Sequence, residues 1–368
     1  MIKKLLLVFV FLTTTITYSQ TPNLTENSTV SVFTCGQGSE LYSVFGHTAI
    51  RIKDDAYNLD VVFNYGAFDF NTENFYLKFV KGDLQYFIGA SSYEQFISEY
   101  QYENREVIEQ TLALSLSQKQ ILLDRLRTSL YSSERTYTYK FIDRNCTTMV
   151  AEKINQTIGQ DLIQKTDDTS LSYREVLYPY FKNHFWYKLG VNCIFGYKTD
   201  TDATKLFLPI ELLHSLDKAT FKNKPLVSEK KTILNGTIEK DKFSFFNSIY
   251  FVILFLILLL ILNKKYIFYT YFIIFGLLGL FFSLVGFYSF HQEISWNYNV
   301  LLFNPLLLLI PFVSHKTKWL YAIAICLVLY LLFIINKPHL FLVFPFVVTN
   351  GIIIYKMATQ KKLLTSIK

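Results

Sequence analysis

The side chains able to do chemistry fall in three short segments. Cys146 ends the run Asp143-Arg144-Asn145-Cys146 before Thr147-Thr148, where a loop should enter a helix. Asn145 or Asp143 can cap that helix. A helix start offers free N–H groups and partial positive charge, which favour a thiolate and can hold an oxyanion. A thiolate needs a proton acceptor, and His47, after Gly46 on a predicted strand, is the best candidate. Asn64, in Phe63-Asn64-Tyr65-Gly66 on the next predicted strand, can fix the imidazole tautomer. Each has a plainer reading: buried packing for Cys146, a hydrogen-bonded strand residue for His47, a turn for Asn64. Cys35 is a rival nucleophile, weaker because a Gly-rich loop rather than a helix follows it. Cys35 and Cys193 can also pair, whereas Cys326 lies in an apolar stretch. No Cys-x-x-Cys or His-x-x-x-His spacing suggests a metal, and no cofactor is expected.

The elements that must position these groups divide the chain into zones. Lys3, Lys4 and the apolar run Leu5 to Leu12 precede small polar residues to Ser19, which reads as a signal peptide over 1–19. Residues 20–221 read as an exported mixed α/β domain. Val30–Thr34, His47–Ile52, Val61–Tyr65 and Arg105–Leu114 are strand-like. Ser117 to Gln120 reads as a capping box before a helix carrying Leu122, Leu123, Leu126 and Leu130. Cys146 to Ile158 reads as a helix stopped by Gly159, and Leu208-Pro209-Ile210-Glu211 opens another. Residues 222–242 read as a polar tether.

The remainder is apolar. Five spans are expected, about 243–262, 266–290, 299–313, 319–335 and 339–355, with four spans and one re-entrant segment as the alternative. After residue 242 there are nine Lys and a single Glu, against totals of 36 basic and 29 acidic residues. The net charge of +7 therefore sits beside apolar helices rather than on a folded basic surface, which argues against nucleic acid. Eight of those Lys fall in loops 263–265 and 314–318 and in the tail 356–368, which the positive-inside rule makes cytoplasmic. The exported domain and the orientation of the spans are thus reached independently. His291, Asn297, Asn299 and Asn304 then lie at the outer interface, where polar groups are costly and often functional. Their competing roles are interfacial anchoring and capping.

Tyr42 to Arg51, Phe63 to Gly66 and Asn145 to Thr148, with Phe207-Leu208-Pro209, resemble the periplasmic domain of the Lnb-type bacterial lipoprotein N-acyltransferases. The outward stretch His291 to Asn299 and then Leu301 to Leu306 is similar to the family's membrane loop. The resemblance implies an α+β fold: a circularly permuted papain-like thiol-enzyme domain followed by an all-α membrane domain of about five helices. It implies Cys146 as nucleophile, His47 as base and, more loosely, Asn64 as the orienting group. His291, Asn297, Asn299, Tyr42 and Arg144 become candidate substrate contacts. The implied reaction moves an acyl chain from a phospholipid or lipoprotein ester, through a Cys146 thioester, to the N-terminal Cys of a diacylglyceryl lipoprotein. The implied place is the inner membrane, multi-pass, with the N-terminal domain in the periplasm. Two other functions fit the residues: a papain-like peptidase or amidase on cell-wall peptides, for which the spans would be superfluous, and a non-enzymatic membrane scaffold.

Overall fold

A computed structural model describes residues 23–236 and 243–359. The expected signal peptide lies outside the described residues. The N-terminal unit is built on an antiparallel seven-stranded sheet. Its strands are β1 (Thr29–Cys35), β2 (His47–Asp54), β3 (Leu59–Ala67), β4 (Gln85–Ser92), β5 (Val107–Leu112), β6 (Thr136–Thr138) and, after a two-residue ladder of β7 (Thr220–Phe221) and β8 (Lys224–Pro225), β9 (Val227–Leu234). The order is β6-β4-β3-β2-β1-β5-β9.

The expected strands are present, and β4 and β6 join them. β4 buries Tyr86 and Ile88 on one face, but Gly89 and the serines that follow blur its alternation in sequence. β9 revises the expected tether: residues 227–234 pair with β5 as an edge strand and leave most of their side chains in solvent. That exposure is why they read as linker. The rest of the expected tether, 237–242, lies outside the described residues.

Strand periodicity gives the sheet two apolar faces. Val30, Val32, Ile50, Ile52, Phe63 and Tyr65 pack beneath two helices, α3 (Leu116–Tyr131) and α4 (Cys146–Ile158), with Leu122, Leu123, Leu126, Val150 and Ile154 meeting them. The opposite face, with Phe33, Cys35, Ala49 and Val62, is covered by Phe96 and Tyr100 of α2 (Tyr93–Tyr102). A shorter helix, α1 (Phe75–Lys81), precedes β4. The capping box of α3 is Ser115 with Gln118, two residues earlier than the Ser117–Gln120 reading; the sequence satisfies the same spacing twice. Three further helices complete the unit: α5 (Tyr173–Leu177), α6 (Phe185–Ile194) and α7 (Pro209–Lys218).

The apolar part contains α8 (Ile249–Leu262), α9 (Lys265–Tyr288), α10 (Lys316–Ile334) and α11 (Leu340–Thr359). The last three are long and apolar enough to cross a membrane. At 14 residues α8 is about 21 Å long, short of a hydrocarbon core of about 30 Å. The expected span 299–313 is not a continuous helix. It forms two 3₁₀ turns, Tyr298–Leu301 and Pro305–Leu309, interrupted where Asn304 caps the second and Pro305 begins it. Such backbone is tolerated at membrane depth only when protein covers it. Gly276 and Gly279 of α9 provide that cover: a Cβ on either would collide with Leu308 or with the Phe303 carbonyl. Leu302, Phe303, Leu307 and Ile310 are buried in the bundle core. The α+β organisation with an apolar helical C-terminal part is as expected; the count of five helical spans is not reached among the described residues.

Candidate active site

Cys146 is the first residue of α4. Asn145 caps it: its side-chain oxygen accepts the Thr148 N–H at 3.0 Å, and the Thr148 hydroxyl accepts the Asn145 N–H at 2.8 Å. The amide nitrogen of the buried Asn145 donates to the Phe141 and Phe207 carbonyls at 2.7 and 2.8 Å. One side chain thus starts the helix and fastens it to the Phe207-Leu208-Pro209 segment. Gly46, with φ +84°, lies against the same segment; a Cβ there would stand 2.6 Å from the Cys35 carbonyl. Only glycine admits this turn, which delivers the chain into β2 at His47.

The β2–β3 pairing sets Asn64 opposite Ala49, next to His47 across the hairpin. His47 Nε2 donates to Asn64 Oδ1 at 3.2 Å, which leaves Nδ1 for the thiol. Burial pushes the Cys146 thiol up. The charge of His47 and a hydrogen bond to it, with help from the Thr48 N–H and Thr147 hydroxyl, more than offset that and bring it down to about 7. The Thr147 hydroxyl lies 3.9 Å from Sγ. Thiol, imidazole and amide, distant in sequence, are therefore brought together. Cys35 differs: burial in the sheet core pushes its thiol up to about 12. Cys35 and Cys193 are both unpaired, in separate cores.

Residues 18–178 match the family model of the Lnb N-terminal periplasmic domain. The N-terminal part of the chain is thus similar to that Lnb domain. No curated protein and no solved structure matches the chain. With that domain and, among the described residues, three helices long and apolar enough to cross a membrane, the chain is a membrane protein with a periplasmic N-terminal domain.

The remaining candidates divide by location. Tyr42 is exposed, its ring edge-on to Phe68 and Phe70 at 5.8 and 6.4 Å. Arg144 is exposed and sets its guanidinium 5.3 Å from the centre of the Tyr137 ring. Arg144 precedes Cys146 by two residues. His291 instead donates from Nε2 to the Phe79 carbonyl at 2.9 Å, joining the loop after α9 to α1. Asn297 donates to the Cys193 and Ile194 carbonyls, both at 2.9 Å. Asn299, fully buried, donates to the Asn192 carbonyl at 3.0 Å and accepts from the Tyr330 hydroxyl at 2.9 Å. Asn304 caps its own turn through Leu306 N–H at 3.0 Å. Asn297 and Asn299 thus spend their amide nitrogens on the carbonyl end of α6 and tie the two units, while Asn304 serves its own turn.

The sequence reading passed over a further tie, one that reaches the Cys146 loop itself. Ile142 N–H donates to Glu293 Oε1 at 3.2 Å, and Lys140 Nζ donates to the Phe290 and Gly82 carbonyls, both at 3.1 Å. The loop that ends in Cys146 therefore rests on the loop that leaves α9. Ser289 Oγ and Phe290 N–H bond the Val80 and Lys81 carbonyls of α1 at 2.8 and 2.7 Å. A lone Glu in an apolar region was the available signal.

Proposed function

We propose that this protein is a membrane-bound thiol acyltransferase that N-acylates the N-terminal Cys of diacylglyceryl lipoproteins through a Cys146 thioester. The observation that carries this reading is the union of a lowered thiol, held by His47 and Asn64, with a loop pinned by Glu293 to the outer end of a membrane-length helix. A soluble peptide substrate would not require that attachment. A lipid ester would, because its acyl chains need never be drawn through water. The surface around the site suits such a donor. Phe68 and Phe70, which follow Gly66 closely in the chain, form an aromatic cluster with Tyr42, and α1, bonded to the end of α9, exposes Tyr76 and Leu77.

In the proposed cycle the Cys146 thiolate attacks the ester carbonyl, with His47 holding the thiol proton. The tetrahedral adduct expels the lipid alkoxide, which takes that proton, and a thioester remains. The lipoprotein amine then attacks the thioester, His47 accepts its proton, and the thiolate is released. Either a phospholipid or the lipoprotein's own glyceryl ester can serve as donor, and the inner membrane is the site of action. Mass spectrometry of lipoprotein N-termini tests the reading: cells carrying the gene should yield N-acylated Cys, and cells with Cys146→Ser should yield free amines. N-termini that are the same in both would refute it.

A further inference from the structure

Tyr137, on β6, has a hydroxyl that is buried, with the residue 3 % exposed, and among the described residues no partner satisfies it. An orphaned buried hydroxyl is costly and calls for an explanation. Its position suggests one. Gly66 ends the active-site hairpin with φ +99°, and the point where a Cβ would stand is 3.6 Å from Cys146 Cβ and 4.0 Å from the Tyr137 hydroxyl. The missing side chain leaves a gap with the nucleophile on one side and an unused donor on the other.

We propose that this gap is an oxyanion-binding site, in which the Tyr137 hydroxyl donates to the carbonyl oxygen of an acyl group under attack by Cys146. The Cys146 and Thr147 N–H groups, which open α4 ahead of the capped Thr148 N–H, supply further donors from the Cys146 side. As Sγ bonds to the carbonyl carbon, the C=O π pair moves onto oxygen and is held by Tyr137. When the adduct collapses, that pair re-forms the carbonyl and the alkoxide departs with the proton from His47. Tyr137 keeps its own proton throughout. Burial pushes its phenol up, so it stays a neutral donor at any physiological pH. Arg144 lies over the ring and adds positive potential at the rim.

This site rests on the acyl-transfer reading, and two probes of the full-length protein in nanodiscs separate the two. Iodoacetamide alkylates a thiolate without forming an oxyanion, whereas a short-chain 4-nitrophenyl ester forms one. Both adducts on Cys146 can be timed by peptide mass spectrometry. Tyr137→Phe, which keeps the ring, should leave the alkylation rate within about twofold and slow acyl-adduct formation by about 100-fold. Wild-type acylation rates in Tyr137→Phe would overturn the assignment while leaving acyl transfer intact. An equal fall in both rates would overturn it too, by revealing a structural role. A wild-type protein that is alkylated but never acylated would sink the acyl-transfer reading itself, and the oxyanion site with it.

Discussion

Cys146 and Cys35 are both thiols close to the start of β2, and their surroundings drive them in opposite directions. Burial acts on each, but only Cys146 has an imidazole to offset it. A thiol lowered to about 7 is mostly thiolate above that pH, and the thiolate is lost as the pH falls through it. Alkylation of Cys146 by iodoacetamide should therefore rise through about pH 7 and then level off, while Cys35 stays unreacted. In His47→Ala the burial penalty remains and its counterweight is gone, so the midpoint should move up. An unchanged midpoint would mean that His47 does not activate the thiol. The motifs around His47, Asn64 and Cys146 were legible because glycine before a strand and asparagine before a helix are local signals. What separates Cys146 from Cys35 was not legible, because it depends on β1 being a central strand covered on both faces. Tyr137 was hidden for a similar reason: a three-residue edge strand leaves no periodicity to read.

At the scale of elements, α4 depends on Asn145. Asn145→Ala loses a cap, which costs about 1 kcal/mol, typical of such substitutions. It also deprives the Phe141 and Phe207 carbonyls of a buried donor, each bond contributing roughly 1 kcal/mol. Thermal unfolding should show a loss of about 2–3 kcal/mol in all. Asn145→Ser, which can still cap but has no amide for the two carbonyls, should lose less, and a loss equal to that of Asn145→Ala would show that the cap itself contributes nothing. In the membrane part, Gly279 faces the Phe303 carbonyl with no room for a side chain. Gly279→Leu should overpack this crossing and cost about 1–3 kcal/mol, read as a lower unfolding midpoint in detergent. Gly286 meets only the Ile294 carbonyl, at 3.6 Å, so Gly286→Ala should be far milder. Long apolar helices announce themselves by composition, so α9, α10 and α11 were readable. The 299–313 stretch has the same composition, and what denies it a helix is the asparagine–proline break together with the glycines of another element. β9 failed in the other direction: its partner β5, not its own residues, makes it a strand.

The whole molecule is held at its middle by a buried polar network that no single segment reveals. Arg174, 1 % exposed, donates from Nε to Asp200 at 2.7 Å, and from Nη1 to the Asn192 side chain and Nη2 to the Thr199 hydroxyl, both at 2.9 Å. Tyr298 carries the network into the membrane part: its hydroxyl donates to Asp200 at 2.7 Å and lies 3.1 Å from Nε2 of His339, just before α11. Asn297 and Asn299 hold the same α6 terminus from the membrane side. Removing the Arg174 guanidinium leaves Asp200 charged and buried without its ion partner, an arrangement that costs about 3–5 kcal/mol. Arg174→Met should therefore loosen the junction while leaving the Cys146–His47–Asn64 group, which rests on the sheet and α4, in place. Hydrogen exchange should quicken over residues 185–200, and iodoacetamide alkylation of Cys146 should keep its rate and its midpoint near pH 7. Acyl transfer should then depend on the donor. A water-soluble short-chain ester should still acylate Cys146, whereas a vesicle phospholipid should do so many times more slowly, because the thiol is no longer held at the depth of the ester. Equal losses with both donors would mean that the network supports the reactive group itself, and no loss with either would mean that the two units need not be fixed to one another for the chemistry to proceed.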